Sequence, residues 1–87
     1  MSRQWGIIFS PTAAKSYESV KDEKLLRGIN RTIGEIAENP YQFQKLSGPF
    51  AQFRKAKTFS YRILFRVMEG KIQVYVLAIG PRADVYR

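Results

Sequence analysis

The chain contains neither cysteine nor histidine. Their absence removes a disulfide framework, a thiolate nucleophile, a Cys/His zinc site and every imidazole-based acid–base relay. Long apolar stretches are missing too. The longest run, Val74 to Ile79, falls far short of the ~20 residues that span a bilayer. The opening residues Met1-Ser2-Arg3-Gln4-Trp5 lack the charged-then-apolar layout of a secretory leader. A cytoplasmic protein with no membrane partner is the expectation. Carboxylates are scarce: seven Asp and Glu face fifteen Lys and Arg, a net charge of +8. A chain so unbalanced repels itself and favours a polyanionic partner, whether RNA, DNA, a membrane surface or an acidic protein.

The positive charge is uneven. From Phe50 onward stand Arg54, Lys55, Lys57, Arg62, Arg66, Lys71, Arg82 and Arg87 against only Glu69 and Asp84. That segment carries +6 and residues 1–49 carry +2. The 45% hydrophobic content, rich in aromatics, is enough to build a core and excludes a disordered chain. At 87 residues the expectation is one domain, residues 1–87, since compact domains usually run to ~100–150 residues and seldom divide below that.

Trp5 to Phe9 reads as a short strand with Trp5, Ile7 and Phe9 on one face. Ser10-Pro11 opens a helix, serine as N-cap and proline where its missing N–H is harmless; it ends near Val20. A second helix begins near Asp22, carries Leu25, Leu26, Ile29, Ile33, Ile36 and Ala37 on a 3.6-residue repeat, and stops at Asn39-Pro40. Gly28 and Gly34 weaken it by up to ~1 kcal/mol each relative to Ala. Tyr41 to Pro49 reads as a connector. Three strands follow: Phe50–Lys57, Tyr61–Met68 and Lys71–Ile79. A tight Glu69-Gly70 hairpin, with glycine supplying the positive φ, joins the last two, and Gly80-Pro81 ends the third. The predicted order is β-α-α-β-β-β. In the middle strand Ile63, Phe65 and Val67 point one way and Arg62, Leu64, Arg66 and Met68 the other. With helices on one face, Arg62 and Arg66 would stand on the open face or at its edge, and Lys55 and Lys57 share a face. Such charges either form a basic concave surface or simply keep sheet edges from pairing.

Three segments taken together resemble the RelE/ParE superfamily of type II toxins. Lys45-Leu46-Ser47-Gly48 is similar to the family's K-L-x-G stretch. Phe53-Arg54-Lys55-Ala56-Lys57 followed by Ser60-Tyr61-Arg62-Ile63-Leu64-Phe65 is similar to its basic strand and Y-R-I/V-x-Y/F. Val76 to Tyr86 resembles its apolar strand, G-x-R corner and terminal x-V-Y. The resemblance, to the RelE-like branch, implies an α+β fold with two helices packed on one face of a twisted, mainly antiparallel sheet. It implies a ribosome-dependent mRNA interferase, an endoribonuclease acting in the A site. It also implies a small antitoxin partner, acidic at its contact segment, with ribosome and mRNA as further partners. The ParE branch shares the fold and instead targets DNA gyrase without cleaving RNA. A basic RNA- or DNA-binding module without toxicity is a third reading.

Scission by the ribose 2′-hydroxyl needs a proton acceptor, stabilisation of a dianionic phosphorane and a proton for the leaving 5′-oxygen. Of the carboxylates in the basic half, Glu69 reads as a solvated turn charge and Asp84 as a partner of Arg82 or a cap on the tail. Arginine keeps its charge and presents a rigid fork of donors to phosphate oxygens, which assigns Arg62 and Arg82 to a phosphate clamp. Lysine accepts a proton only when neutral, and neighbouring cations favour that form. Lys57 or Lys55 is the candidate acceptor, with Arg54 as a helping neighbour. By resemblance, Tyr86 stacks on a base or orients the 2′-hydroxyl, and Arg82 can also donate a proton. Arg54, Arg66 and Arg87 are expected to bind RNA. No metal or cofactor is expected.

Overall fold

The computed structural model describes residues 4–81; Arg82, Asp84, Tyr86 and Arg87 lie outside the described residues. The first strand, β1 (Gly6–Phe9), runs directly into Ser10, which starts α1 (Pro11–Glu18). The Ser10 hydroxyl oxygen accepts from the Ala13 amide at 3.0 Å and donates to the Leu77 carbonyl at 2.6 Å. One buried side chain thus caps a helix and ties it to a strand 67 residues away in sequence. Helix α2 (Glu23–Glu38) is capped by Asp22, whose carboxylate accepts from the Lys24 and Leu25 amides. It ends at Asn39, whose side chain accepts from Tyr41 N as Pro40 opens a short 3-10 turn. Proline cannot supply the N–H that would continue the helix, so both expected boundaries agree with cap chemistry.

The remaining strands are β2 (Gln44–Lys45), β3 (Arg54–Thr58), β4 (Tyr61–Met68) and β5 (Gln73–Pro81). They form a five-stranded sheet in the order β1-β5-β4-β3-β2. β1 lies parallel to β5 and every other pairing is antiparallel; the two helices carry the chain from β1 at one edge of the sheet to β2 at the other. Ala13 of α1 and Ile29 and Ile36 of α2 join Ala56, Ile63, Phe65, Val74, Val76 and Ile79 in one buried cluster. The expected α+β architecture, with two helices on a mainly antiparallel sheet, is therefore observed.

Four local expectations require correction. The Tyr41–Pro49 connector contains β2, which pairs with Arg54 and Lys55. The strand expected from Phe50 begins at Arg54, because Gly48–Phe50 forms a 3-10 turn with Gly48 at φ +65°. The β4–β5 connection is a four-residue loop built on a 3-10 turn over Glu69–Lys71, and the positive φ falls on Ile72 (+54°), not on Gly70. Longer hairpin loops use such turns, so the positive φ moves to the last loop position. Finally, β5 runs through Gly80 to Pro81. β1 pairs only with residues 73–76, so Pro81 sits where that side of β5 is an edge and its missing N–H breaks no ladder.

Within β5 the register slips by one. Leu64 faces Ala78 and Phe65 faces Val76, leaving Leu77 as an extra residue. This bulge puts Val74, Val76 and Ile79 all on the helix side, which strict alternation could not do. Ser10 Oγ satisfies the bulged residue's carbonyl.

The β3–β4 hairpin carries a second departure. Phe59, the first of its two turn residues, has φ +53°, a region that costs a residue with a side chain roughly 1–2 kcal/mol. It lies against α2 at Gly28, where an added Cβ would come within 2.7 Å of both the Phe59 ring and Thr58 Oγ1. Gly34 on the same helix has nothing within 4 Å of its would-be Cβ.

The two helix glycines should therefore respond oppositely to alanine. Gly34→Ala should stabilise by about 0.5–1 kcal/mol through helix propensity, and Gly28→Ala should destabilise by about 1–3 kcal/mol through overpacking; urea unfolding distinguishes the signs. Ser10→Ala should cost about 1–3 kcal/mol in the same assay, losing the cap and leaving the Leu77 carbonyl short of a partner.

Candidate nucleic-acid interface

Directly opposed residues on neighbouring strands share a sheet face. The register therefore defines what lies opposite the helices. Lys57 faces Arg62, which faces Gly80. Gln44 faces Lys55, Lys55 faces Leu64, and Leu64 faces Ala78. Arg66 faces Tyr75, which faces Ile8. The last three cross-strand rows belong to one face, because they alternate with the buried Ala56, Ile63, Phe65, Val74 and Val76. Lys55, Lys57, Arg62 and Arg66 therefore stand on the same side.

Cross-strand Cβ atoms lie ~5 Å apart, so Lys57 and Arg62 project side by side. Lys55 follows ~6.5–7 Å along β3, and Arg66 lies ~13 Å along β4 from Arg62. None of the five strands contains a carboxylate. Among the described residues none of these four cations forms an ion pair. Their mutual repulsion is offset by solvent in the free protein, and an anion laid across the row would relieve it. Leu64, Ala78 and Gly80 keep the floor low: two have small or no side chains, and Leu64 is only 1% exposed. A hollow of about 240 Å³ bounded by Leu46, Ser47, Phe50 and Lys55 lies at one end of the row.

Arg54 does not join this group. Paired with the buried Phe65, it points to the helix side. Its guanidinium donates to the Phe43 carbonyl at 2.8 Å and to that of Tyr41 at 3.4 Å, and lies 5.3 Å from the Tyr41 ring centroid. The expectation that Arg54 stands beside Lys55 and Lys57 is therefore corrected. One residue out of phase on β3, it serves as a clasp for the Pro40–Gln42 turn. Tyr41 completes the clasp: it donates to Glu69 Oε2 at 2.5 Å and stacks edge-on against Trp5. Its phenol is held above the usual range, chiefly by the hydrogen bond to Glu69, then by desolvation and the Glu69 charge, with Arg54 opposing. Glu69 is thus engaged with Tyr41 as well as exposed in its turn. Arg82, Tyr86 and Arg87 lie outside the described residues; β5 delivers the chain to Pro81, adjacent to Gly80 of the Lys57–Arg62 row.

Sequence reading did not single out Tyr75, which shares a row with Arg66, nor the low floor of Ala78 and Gly80. The alternation of β5 signals Tyr75, but the Leu77 bulge shifts the phase beyond it.

This fold has known counterparts. The family model of the ParE toxin of type II toxin–antitoxin systems, parDE, matches residues 7–86. The chain belongs to that family, within the RelE/ParE superfamily its motifs resemble. Toxin RelG of Mycobacterium tuberculosis is 26% identical over 86 residues, covering 93% of this chain and 94% of that protein. A chain of the toxin–antitoxin complex RelBE2 from the same organism is similar with a TM-score of 0.79 at 20% identity, covering 91% of this chain and 99% of its own length. The isolated Escherichia coli RelE toxin is similar with a TM-score of 0.76 at 22% identity, covering 94% and 90%.

The geometry separates two arginines that sequence grouped together. Arg54→Ala should lower stability by about 1–3 kcal/mol, leaving two carbonyls short of a charged donor, while leaving anion affinity per folded molecule nearly unchanged. Arg62→Ala should do the reverse. Thermal melts together with heparin or single-stranded RNA binding at several salt concentrations would show both, and equal loss of affinity in the two variants would refute the assignment.

Proposed function

We propose that this type II toxin is a translation-dependent endoribonuclease that cuts mRNA in the ribosomal A site. The observation that carries the reading is the carboxylate-free face on which Lys55, Lys57 and Arg62 stand side by side. Such a set suits one phosphodiester whose charge grows in the transition state. In the proposed reaction Lys57 or Lys55 accepts the proton of the ribose 2′-hydroxyl. The freed oxygen attacks the adjacent phosphorus, and the bond from phosphorus to the 5′-oxygen breaks. The leaving oxygen takes a proton, with Arg82 as the proposed donor. The products are a 2′,3′-cyclic phosphate and a 5′-hydroxyl, so atoms balance without water or metal. Arg62 and Arg82 clamp the phosphorane, Tyr86 stacks on or orients the nucleotide, and Arg66 and Arg87 extend backbone contact. Likeness to RelG and RelE supports this reading.

A cognate antitoxin is proposed as the silencing partner, because similar folds occur in the RelBE2 and RelBE toxin–antitoxin complexes. A ribosomal target would place the chain in the cytoplasm. No described helix is long and apolar enough to cross a membrane. A second reading, a gyrase inhibitor without nuclease activity, is favoured by one specific observation: the matching family model is that of ParE.

Toe-printing of a defined message in a translating extract decides between them. Wild-type protein should give codon-spaced cuts, Arg62→Ala and Arg82→Ala should reduce them by about 10²-fold or more, and Arg54→Ala should retain them. Intact message accompanied by trapped gyrase–DNA complexes would instead establish the second reading.

A further inference from the structure

The open face of the sheet changes character along its length. On the β3 side Lys55, Lys57 and Arg62 stand over the low floor of Leu64, Ala78 and Gly80. Farther along β4 comes a row of Arg66, Tyr75 and Ile8 on three adjacent strands. Arg66 is exposed, and Ile8 on the edge strand is 42% exposed. Tyr75 lies between them, one strand spacing of about 4.8 Å from each. The next row on this face is Gly6, Gln73 and Met68. It holds no charge and, at Gly6, no side chain.

Tyr75 differs from every other aromatic residue in the strands. Phe65 belongs to the buried cluster on the helix side, and Phe9 and Tyr61 pack against it. Phe9 and Phe65 also meet Tyr17 and Phe43 edge-on. Tyr17 and Tyr41 donate their hydroxyls to Asn30 and Glu69. Among the described residues the Tyr75 hydroxyl makes no hydrogen bond, and its ring has no aromatic or guanidinium partner. The ring is thus uncommitted, and it stands on the face that carries the cations.

Cations alone accept any polyanion, because phosphate contacts position a nucleic acid without reading it. Stacking on an aromatic ring requires a base free of its pairing partner, which a single strand offers and a duplex does not. Arg62 and Arg66 lie ~13 Å apart on one strand, with the low floor between them. A backbone laid along β4 meets a cation at each end, and beside the second it meets the Tyr75 ring. We propose that Tyr75 is a stacking platform for an unpaired base flanking the scissile linkage, with Arg66 holding the adjoining phosphate and Ile8 shouldering the base. The inference rests on the reading that message crosses this face, and it adds a substrate-binding residue to it. Every base has a ring face, so the platform selects single-stranded RNA over other polyanions without selecting a sequence.

Affinities of the full chain for three probes over a range of salt test this. The probes are a single-stranded RNA oligonucleotide, the same sequence annealed to its complement, and heparin, which carries charge without bases. Tyr75→Leu keeps an apolar side chain on the strand. It should weaken the single strand about tenfold or more while leaving the duplex, heparin and all three salt slopes as in wild type. Tyr75→Phe keeps the ring and should retain wild-type affinity. Arg66→Ala should instead weaken all three probes and flatten their salt dependence. In wild type the Tyr75 ring-proton resonances should move upfield with the single strand only. The platform is overturned if wild type has no affinity for the single strand, or if Tyr75→Leu binds it as wild type does. Parallel loss of all three probes in Tyr75→Leu, or failure of Tyr75→Phe alongside it, also overturns the platform. Single-strand binding that depends on Arg62 but not on Tyr75 removes the platform alone. Absence of codon-spaced cuts by wild type in the translating extract removes the nuclease reading and the platform with it.

Discussion

The Leu77 bulge, held by the Ser10 hydroxyl, is the constraint on which the two faces of this small sheet depend. β5 is an interior strand that must pair parallel with β1 on one side and antiparallel with β4 on the other. Without the inserted residue, period-two alternation would bury Val74 and Val76 but turn Ile79 toward the open face. With it, all three are buried, and Ala78 and Gly80 fall opposite Leu64 and Arg62. The same slip therefore completes the core and lowers the floor beneath the cations. A bulge leaves a backbone group outside the ladder, and here a helix N-cap supplies the missing partner. The entry of α1 and the phase of β5 are one device.

Charge is sorted by layer with similar economy. Glu18, Glu23, Glu35 and Glu38 lie on the helices and Asp22 caps one of them, whereas the strands carry only cations. The sheet face concentrates like charge within a few ångströms, which favours a polyanion but costs the free protein self-repulsion. Arg54 shows how finely this is set by register. It neighbours Lys55 in sequence yet points through the sheet to carbonyls of the Pro40–Gln42 turn. Its charge is consumed internally, so the face gains nothing from it.

Much of this was legible from residue chemistry. Ser10-Pro11, Asp22 and Asn39-Pro40 mark helix ends through local caps, which need no tertiary context. The spacing of Arg62 and Arg66, and of Lys55 and Lys57, puts each pair on one face by alternation alone. What was not legible depends on contacts distant in sequence. Gln44–Lys45 is too short to show a pattern and is a strand only because β3 lies beside it. Arg54 looked like a member of the basic group because composition does not report which carbonyls wait across the layer. Gly70 looked like the turn glycine, but a four-residue loop shifts the positive φ to Ile72. The bulge left no mark in β5 itself, since Leu77 and Ala78 suit either phase.

Phe59 and Gly28 carry that point further. Read singly, one is an apolar residue in a hairpin and the other a weak spot in a helix. Only the three-dimensional pairing reveals a complementary fit, ring edge into notch, with a backbone strained to hold it. A small domain has a stability of only ~5–15 kcal/mol to draw on, so two local departures joined at one surface are a substantial commitment. The Leu77 bulge departs from regularity in the same way, but its return is visible inside the fold as a completed core. For Phe59 the core gains almost nothing, because the ring stays largely in solvent. Its ring instead walls two hollows beside Gly28 on the helix layer, away from the cations that face the other way.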